Sequence, residues 1–166
     1  LFLPDHHVVK IKADGIYTFK DVANRFGSSN SSLPGSDNIF SKFILRGYQA
    51  GQFLGTQMYS ANLEYHFPIY DILSGSGTTP FYLKYMTGAL TLDALGVKGA
   101  GLDKNEIYQP LKISNTITSA GFELKISSTL GYVLPLNLIY GVYHPLNKDY
   151  AKDNIVSGMS IQLGGL

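Results

Sequence analysis

The sequence has no cysteine, no tryptophan, little charge and no apolar run long enough to cross a bilayer as a helix. Without cysteine there are neither disulfides nor thiolate metal sites. Charged residues fill 15% of the 166 positions, against roughly 25% in ordinary soluble domains. A formal net charge of +1 leaves no electrostatic footprint for nucleic acid. The most apolar stretch, Val133 to Tyr143, is interrupted by Pro135, Asn137 and Gly141. It falls short of the roughly 18 or more apolar residues that a membrane helix needs. A closed β-barrel is not excluded by this, because it too satisfies every backbone polar group in hydrocarbon. Helical periodicity is nearly absent as well.

What is present is alternation with a period of two, together with 12 Tyr, 9 Phe and many small polar residues. The clearest segment runs from Thr56 to Tyr70. One face carries Tyr59, Ala61, Leu63, Tyr65, Phe67 and Ile69; the other carries Ser60, Asn62, Glu64 and His66. Such a pattern predicts a strand with one apolar face. Val8 to Phe19 sets Val9, Ile11, Ala13 and Tyr17 against Lys10, Lys12 and Asp14. Thr116 to Ile126 sets Ala120, Phe122, Leu124 and Ile126 against Ser119, Glu123 and Lys125. Tyr132 to Val142 groups Leu134, Leu136, Leu138, Tyr140 and Val142, and Ile155 to Leu163 groups Met159, Ile161 and Leu163. Phe81 to Leu95 alternates least cleanly, with Lys84 and Asp93 on opposite parities.

These six strands read as about 9–15 residues long, whereas soluble sheets favour five or six and a tilted membrane strand needs about 9–11. Their connections are expected to alternate in length. Lys20 to Gly55 and Gly96 to Leu111 read as long loops, Asp71 to Pro80 as shorter, and Ser127 to Gly131 as a tight turn. Long loops on one side and short turns on the other are the habit of outer-membrane barrels. The expected fold is therefore all-β: one domain over residues 1–166, a transmembrane antiparallel β-barrel segment of six to eight strands. Alternation alone does not say which way the apolar face points, since a soluble calyx alternates too. Three features favour lipid: low charge, a neutral-polar opposite face, and tyrosines near strand ends (Tyr17, Tyr59, Tyr70, Tyr82, Tyr132, Tyr143). On this reading Tyr59, Leu63, Tyr65, Phe67, Phe122, Leu124, Leu136, Leu138 and Tyr140 face lipid. The competing reading is a soluble all-β module that binds a hydrophobic ligand in a calyx.

One motif adds a family. Phe43-Ile44-Leu45-Arg46-Gly47-Tyr48 precedes a Gly-containing stretch and then Glu64-Tyr65-His66-Phe67-Pro68, with Leu92-Asp93-Ala94-Leu95-Gly96 further on. In this order the chain resembles the C-terminal barrel half of the bacterial surface antigen superfamily, the outer-membrane insertases and two-partner secretion translocators. The resemblance runs from about Pro4 to Gly164. It implies that Arg46, Gly47 and Tyr48 form the tip of a long loop, about residues 21–55, folded back into the lumen. It further implies that Arg46 meets Asp93 on the barrel wall; Glu64, which shares the polar face, is expected as a second acceptor. Gly158, Ile161 and Leu163 resemble the assembly signal read by the barrel assembly machinery, although Val156 stands at its polar position and Leu166 at its aromatic end. The implied location is the bacterial cell outer membrane.

The departures matter equally. Barrels of that superfamily have about 16 strands, and single-chain bacterial barrels start at about eight. Six strands leave two open edges, whose unpaired backbone groups are untenable in hydrocarbon. The edges must be completed: either the chain is a fragment of a longer one, or several copies pair edge to edge into a composite wall, and the expectation is the second, a symmetric homo-oligomer. The chain begins at Leu1, which reads as a processed protein or an excised domain. No catalytic motif, cofactor site or metal site is expected. The four histidines, His6, His7, His66 and His144, lack ligand spacing, and Gly96 to Gly101 lacks the phosphate-loop pattern and reads as a loop. The expected function is a non-enzymatic, porin-like role in transport, assembly or membrane organisation.

Overall fold

The computed structural model describes residues 5–17, 26–27, 43, 45–49, 51–75, 80–131 and 133–163. Eight strands form one antiparallel sheet: β1 (Val8–Tyr17), β2 (Phe26–Gly27), β3 (Phe53–Gly75), β4 (Phe81–Leu102), β5 (Tyr108–Leu111), β6 (Thr116–Leu130), β7 (Leu134–Pro145) and β8 (Val156–Leu163). The six long strands lie in the order β1-β3-β4-β6-β7-β8. Short β2 pairs with β3, and β5 pairs with the end of β4. Among the described residues the sheet is open: β1 pairs only with β3, and β8 only with β7.

Alternation decides which residues share a face. The cross-strand register joins Asn62, Asp93 and Ser119 on one level, and Glu64, Thr91 and Gly121 on the next. These belong to the face onto which Phe43 and residues 45–49 fold, called here the loop face. The opposite, bare face carries Tyr59, Leu63, Leu90, Leu92, Phe122, Tyr140, Met159, Ile161 and Leu163, all exposed. At mid-height β1, β3, β4, β6 and β8 are thus polar toward the loop and apolar away from it, whereas β7 turns Ile139 and Tyr143 toward the loop.

Three strands outrun their expected lengths, β3, β4 and β6; in β6 the expected tight turn at Ser127 to Gly131 is strand as far as Leu130, where it pairs with Leu134. β3 and β4 span 23 and 22 residues, because what reads as loop at Gly96 to Gly101 continues the hairpin. There Gly99 lies directly opposite Gly55, and a Cβ on Gly99 would run into the Leu54 carbonyl. Glycine lets the two backbones approach closely, so this run marks contact and not a turn. Similarly, the expected Asp71 to Pro80 connection is strand as far as Gly75. The poor alternation of Phe81 to Leu95 also has a cause. A register shift between Leu83 and Tyr85 leaves Lys84 as an extra residue, and such a bulge inverts the alternation on either side of it. Tyr82, paired with Thr129, therefore shares the loop face with Asp93 despite its opposite parity.

Aromatic rings cover glycines on adjacent strands. Tyr59 pairs with Gly96 and Phe67 with Gly88 on the bare face, while Tyr143 pairs with Gly121 on the loop face. In each pair a Cβ added at the glycine would meet the partner's ring. Ring and glycine together make a flush surface, a cross-strand device that also pins register.

The connections sort by end. Residues 76–80 and 131–133 join strands at one end, and residues 18–52, 103–115 and 146–155 at the other. The start of β1 and the close of β8 lie at the short-turn end, where Val8 pairs with His66 and Leu163 with Leu136. At the long-loop end the loop face is apolar. Phe43, Leu45, Tyr48, Phe53, Met58, Leu95, Val97, Leu111 and Ile117 form a buried cluster, with Ile16 and Tyr150 packed against it.

Candidate functional site

Residues 45–49 lie across the loop face and place one arginine over the middle of the sheet. Gly47 makes this bend possible: its φ of 86° is left-handed, and a Cβ there would sit 3.3 Å from Tyr143 Cβ. Leu45, Arg46 and Tyr48 are all buried.

The Arg46 guanidinium is forked onto Asp93, Nε donating to Oδ2 at 2.8 Å and Nη2 to Oδ1 at 2.7 Å. Its backbone N–H adds a third bond to Oδ2 at 3.1 Å. The remaining nitrogen, Nη1, donates to Glu64 Oε1 at 2.8 Å and to Glu123 Oε1 at 3.0 Å. One cation therefore holds three carboxylates from three neighbouring strands, β3, β4 and β6. A planar donor fork suits this, and the point charge of a lysine would not. Asp93 and Arg46 are 1% and 5% exposed. Charges this deep are tolerable only when paired and hydrogen-bonded.

Neutral groups finish the satisfaction of the cluster. Asn62 Nδ2 donates to Asp93 Oδ1 at 2.9 Å, and the Tyr143 hydroxyl donates to Glu123 Oε1 at 2.7 Å. Tyr143 also brings its ring within 6.0 Å of the guanidinium carbon. His66 Nε2 is 2.9 Å from Glu64 Oε2, toward the more open side. One strand over, Lys10 lies opposite Glu64 and Lys12 opposite Asn62. A cavity of about 450 Å³ opens there, lined by Lys10, Lys12, Arg46, Asn62 and Glu64.

A second clamp holds the loop tip. The Tyr48 hydroxyl donates to the Thr118 carbonyl at 2.9 Å and accepts from the Asn147 N–H at 3.1 Å. Asn147 Oδ1 in turn accepts from the Thr118 N–H at 2.7 Å. Burial pushes the Tyr48 phenol up to about 12, so it stays a donor at ordinary pH. Arg46 and Tyr48 thus tie one loop to β3, β4, β6 and the β7–β8 connection.

Arg46, Gly47, Tyr48, Asp93 and Glu64, singled out in the sequence, meet in this one place. Tyr59, Leu63, Tyr65, Phe67, Phe122, Leu124, Leu136, Leu138 and Tyr140 are spread over the bare face, where Tyr65 is part-covered by His7 through a 2.6 Å bond to its hydroxyl. Gly158, Ile161 and Leu163 lie on β8 at the sheet's edge, with Ile161 and Leu163 pointing to the bare face. Tyr143 departs from expectation. It is fully buried beneath Arg46 instead of sitting at a strand-end boundary, because Gly121 opens the space its ring fills. Tyr132 lies outside the described residues.

Glu123, Tyr143 and Asn62 are the members of the cluster that sequence reasoning does not single out. A signal for Glu123 existed: it is the sole acidic residue of Thr116 to Ile126 and stands on the polar face. A buried carboxylate needs a cation, and the resemblance sets Arg46 over the same wall.

Chemically, the arrangement ties residues 45–49 to the sheet through ion pairs and hydrogen bonds. Among the described residues His7 pairs with Tyr65, His66 with Glu64, and His144 with the Asn154 carbonyl. No group of three or more metal-type ligands forms a site among the described residues. Comparison with protein-family models, characterised proteins and solved structures gives no match.

Proposed function

We propose that the chain is a non-enzymatic wall protein of the bacterial outer membrane, a β-barrel segment whose bare face lies in lipid and whose loop face lines a plugged lumen. The carrying observation is the two-sidedness of one sheet. All six long strands turn apolar side chains to an uncovered surface, while their other face holds a charged cluster beneath the chain's own loop. Contiguous exposed apolar surface on this scale marks a membrane or a partner. The composition of the loop face supports a lumen over a hydrophobic calyx, since a calyx would set apolar groups where Arg46, Asp93 and Glu123 lie.

The open edges carry the second half of the reading. In hydrocarbon each unsatisfied backbone group costs several kcal/mol, so β1 and β8 require partner strands. Copies of the same chain supply them, giving a composite wall. The loop tied across its inner side makes the role one of transport, assembly or membrane organisation.

The test is fractionation of cells that express the chain with an outer-membrane targeting signal. On this reading it remains in the membrane pellet through a urea wash and is released by detergent. Release into buffer without detergent refutes it.

A further inference from the structure

Among the described residues the two edge strands of the sheet, β1 and β8, run in opposite directions, and this fixes how copies meet. β1 runs from the short-turn end toward the long-loop end, and β8 runs the opposite way. Copies that share a membrane keep the same end up and the same face toward lipid, so they are related by rotation about the membrane normal. Such a rotation brings unlike edges together, β8 of one copy beside β1 of the next. Because the two strands run oppositely, that junction is antiparallel and continues the sheet without a break. Joining like edges, β1 to β1 or β8 to β8, in antiparallel fashion would invert one copy in the membrane. A β1–β1 seam would also set Lys10 and Lys12 against their own duplicates on the lumen face.

Register follows from length and parity. Among the described residues, those of β8 (Val156–Leu163) can all be paired within those of β1 (Val8–Tyr17) only if Leu163 lies opposite Val8, Val9 or Lys10. Leu163 faces lipid, as does Val9, whereas Val8 and Lys10 face the loop side. A slip of one residue would exchange the faces of the whole strand. One register survives. Resting on the membrane-wall reading above, we infer that copies of this chain join β8 to β1, with Leu163 opposite Val9, Ile161 opposite Ile11 and Met159 opposite Ala13.

The side chains suit this seam. Ile11, Met159, Ile161 and Leu163 are 58–77% exposed, among the barest apolar side chains of the sheet. In the seam they form one continuous apolar band. On the lumen side Lys10 comes opposite Gln162 and Lys12 opposite Ser160, so no like charges meet. The last strand then has a double part: its alternation both fills the lipid face and selects the neighbour's edge.

Because the chain has no cysteine, introduced thiols report the seam without background. Two differently tagged single variants, Ile11→Cys and Ile161→Cys, are co-expressed in the same membrane and oxidised. The inference predicts a disulfide-linked species of twice the chain mass that contains both tags, and little or none when either variant is expressed alone. Ala13→Cys with Met159→Cys gives the same result and serves should the first pair disturb insertion. A linked species from one variant alone would overturn the seam in favour of like edges. A link formed only inside a chain carrying both cysteines would overturn it in favour of self-closure. Absence of any link for both pairs, with the variants still in the detergent-soluble membrane fraction, would overturn it outright while leaving the membrane reading intact. Loss of the unsubstituted chain from that fraction would refute the membrane reading itself.

Discussion

Arg46 and Asp93 meet as a two-pronged pair, 2.8 and 2.7 Å between their atoms, with the Arg46 backbone N–H as a third bond to the same carboxylate. The pair is buried, and Glu64 and Glu123 share the same guanidinium. Removing the cation is therefore worse than removing any one anion. Breaking a buried pair by deleting one partner typically costs about 3–5 kcal/mol. Arg46→Met should reach or exceed that range, since three carboxylates are left facing one another. Asp93→Asn should cost less, and Glu123→Gln least. Unfolding midpoints in detergent check the order. A loss for Glu123→Gln equal to that for Arg46→Met would contradict the shared-cation account.

Tyr48 provides a pH-dependent test. Its phenol is neutral in the folded state up to about 12, against 10.0 for the free group. A group whose proton is held more tightly when folded contributes stability below its free value and loses it as pH rises through the folded one. The loop clamp should thus be constant below pH 10 and weaken between 10 and 12. Tyr48→Phe removes both bonds, each worth about 0.5–1.5 kcal/mol, and should be cleaved faster by protease within residues 18–52. The variant should lack the Tyr48 share of the alkaline loosening. Identical alkaline profiles for the two proteins would refute the clamp.

Two glycines separate two physical causes. Gly51 has φ of 71° and open space around it, so Gly51→Ala carries only backbone strain, about 1–2 kcal/mol. Gly121 has an ordinary backbone, but a Cβ there would strike the Tyr143 ring and approach Thr91 Oγ1 to 2.8 Å. Gly121→Ala should displace Tyr143 from Glu123 and disturb the Arg46 cluster, whereas Gly51→Ala should not. Double-mutant cycles with Glu123→Gln measure the difference: strong coupling for Gly121, near additivity for Gly51. Additivity at both positions would count against the tight Tyr143 seat.

Much of this was legible in the sequence, strand by strand. Thr56 to Tyr70 reads cleanly because from Tyr59 to Phe67 one face is apolar and the other polar, and β3 follows that pattern with Tyr59 and Leu63 exposed and Ser60 and Asn62 buried. Where reading and structure part, a local departure from alternation is responsible. The bulge at Lys84 scrambles the parity of β4, and a bulge leaves no mark in composition. The Gly96 to Gly101 run reads as loop because glycine marks turns and close backbone approach alike, and the choice depends on what lies opposite, here Gly55. Tyr143 reads as a boundary tyrosine because the sequence does not show the space above Gly121. Of the Arg46 cluster, the family resemblance implies Asp93, and the polar face of Thr56 to Tyr70 offers Glu64. Glu123 lies 77 residues from Arg46 and enters only through the cross-strand register.

Substitutions on the bare face test its solvent. Arginine at the middle of a lipid-facing strand costs about 2–4 kcal/mol and falls toward zero near the interfaces. Phe122→Arg and Leu90→Arg should therefore reduce the membrane-inserted yield sharply, and Ile113→Arg, in the connection between β5 and β6, should not. Equal yields for all three would deny the bare face a lipid environment.

The most direct measurement uses the absence of tryptophan. A single Leu92→Trp on the bare face makes an unambiguous fluorophore, to be read in bilayers whose acyl chains carry bromine. The account predicts blue-shifted emission, strong quenching by the brominated lipid and little by aqueous iodide. Emission quenched by iodide and indifferent to bromine would place that face in water, and the proposed wall would have no membrane to stand in.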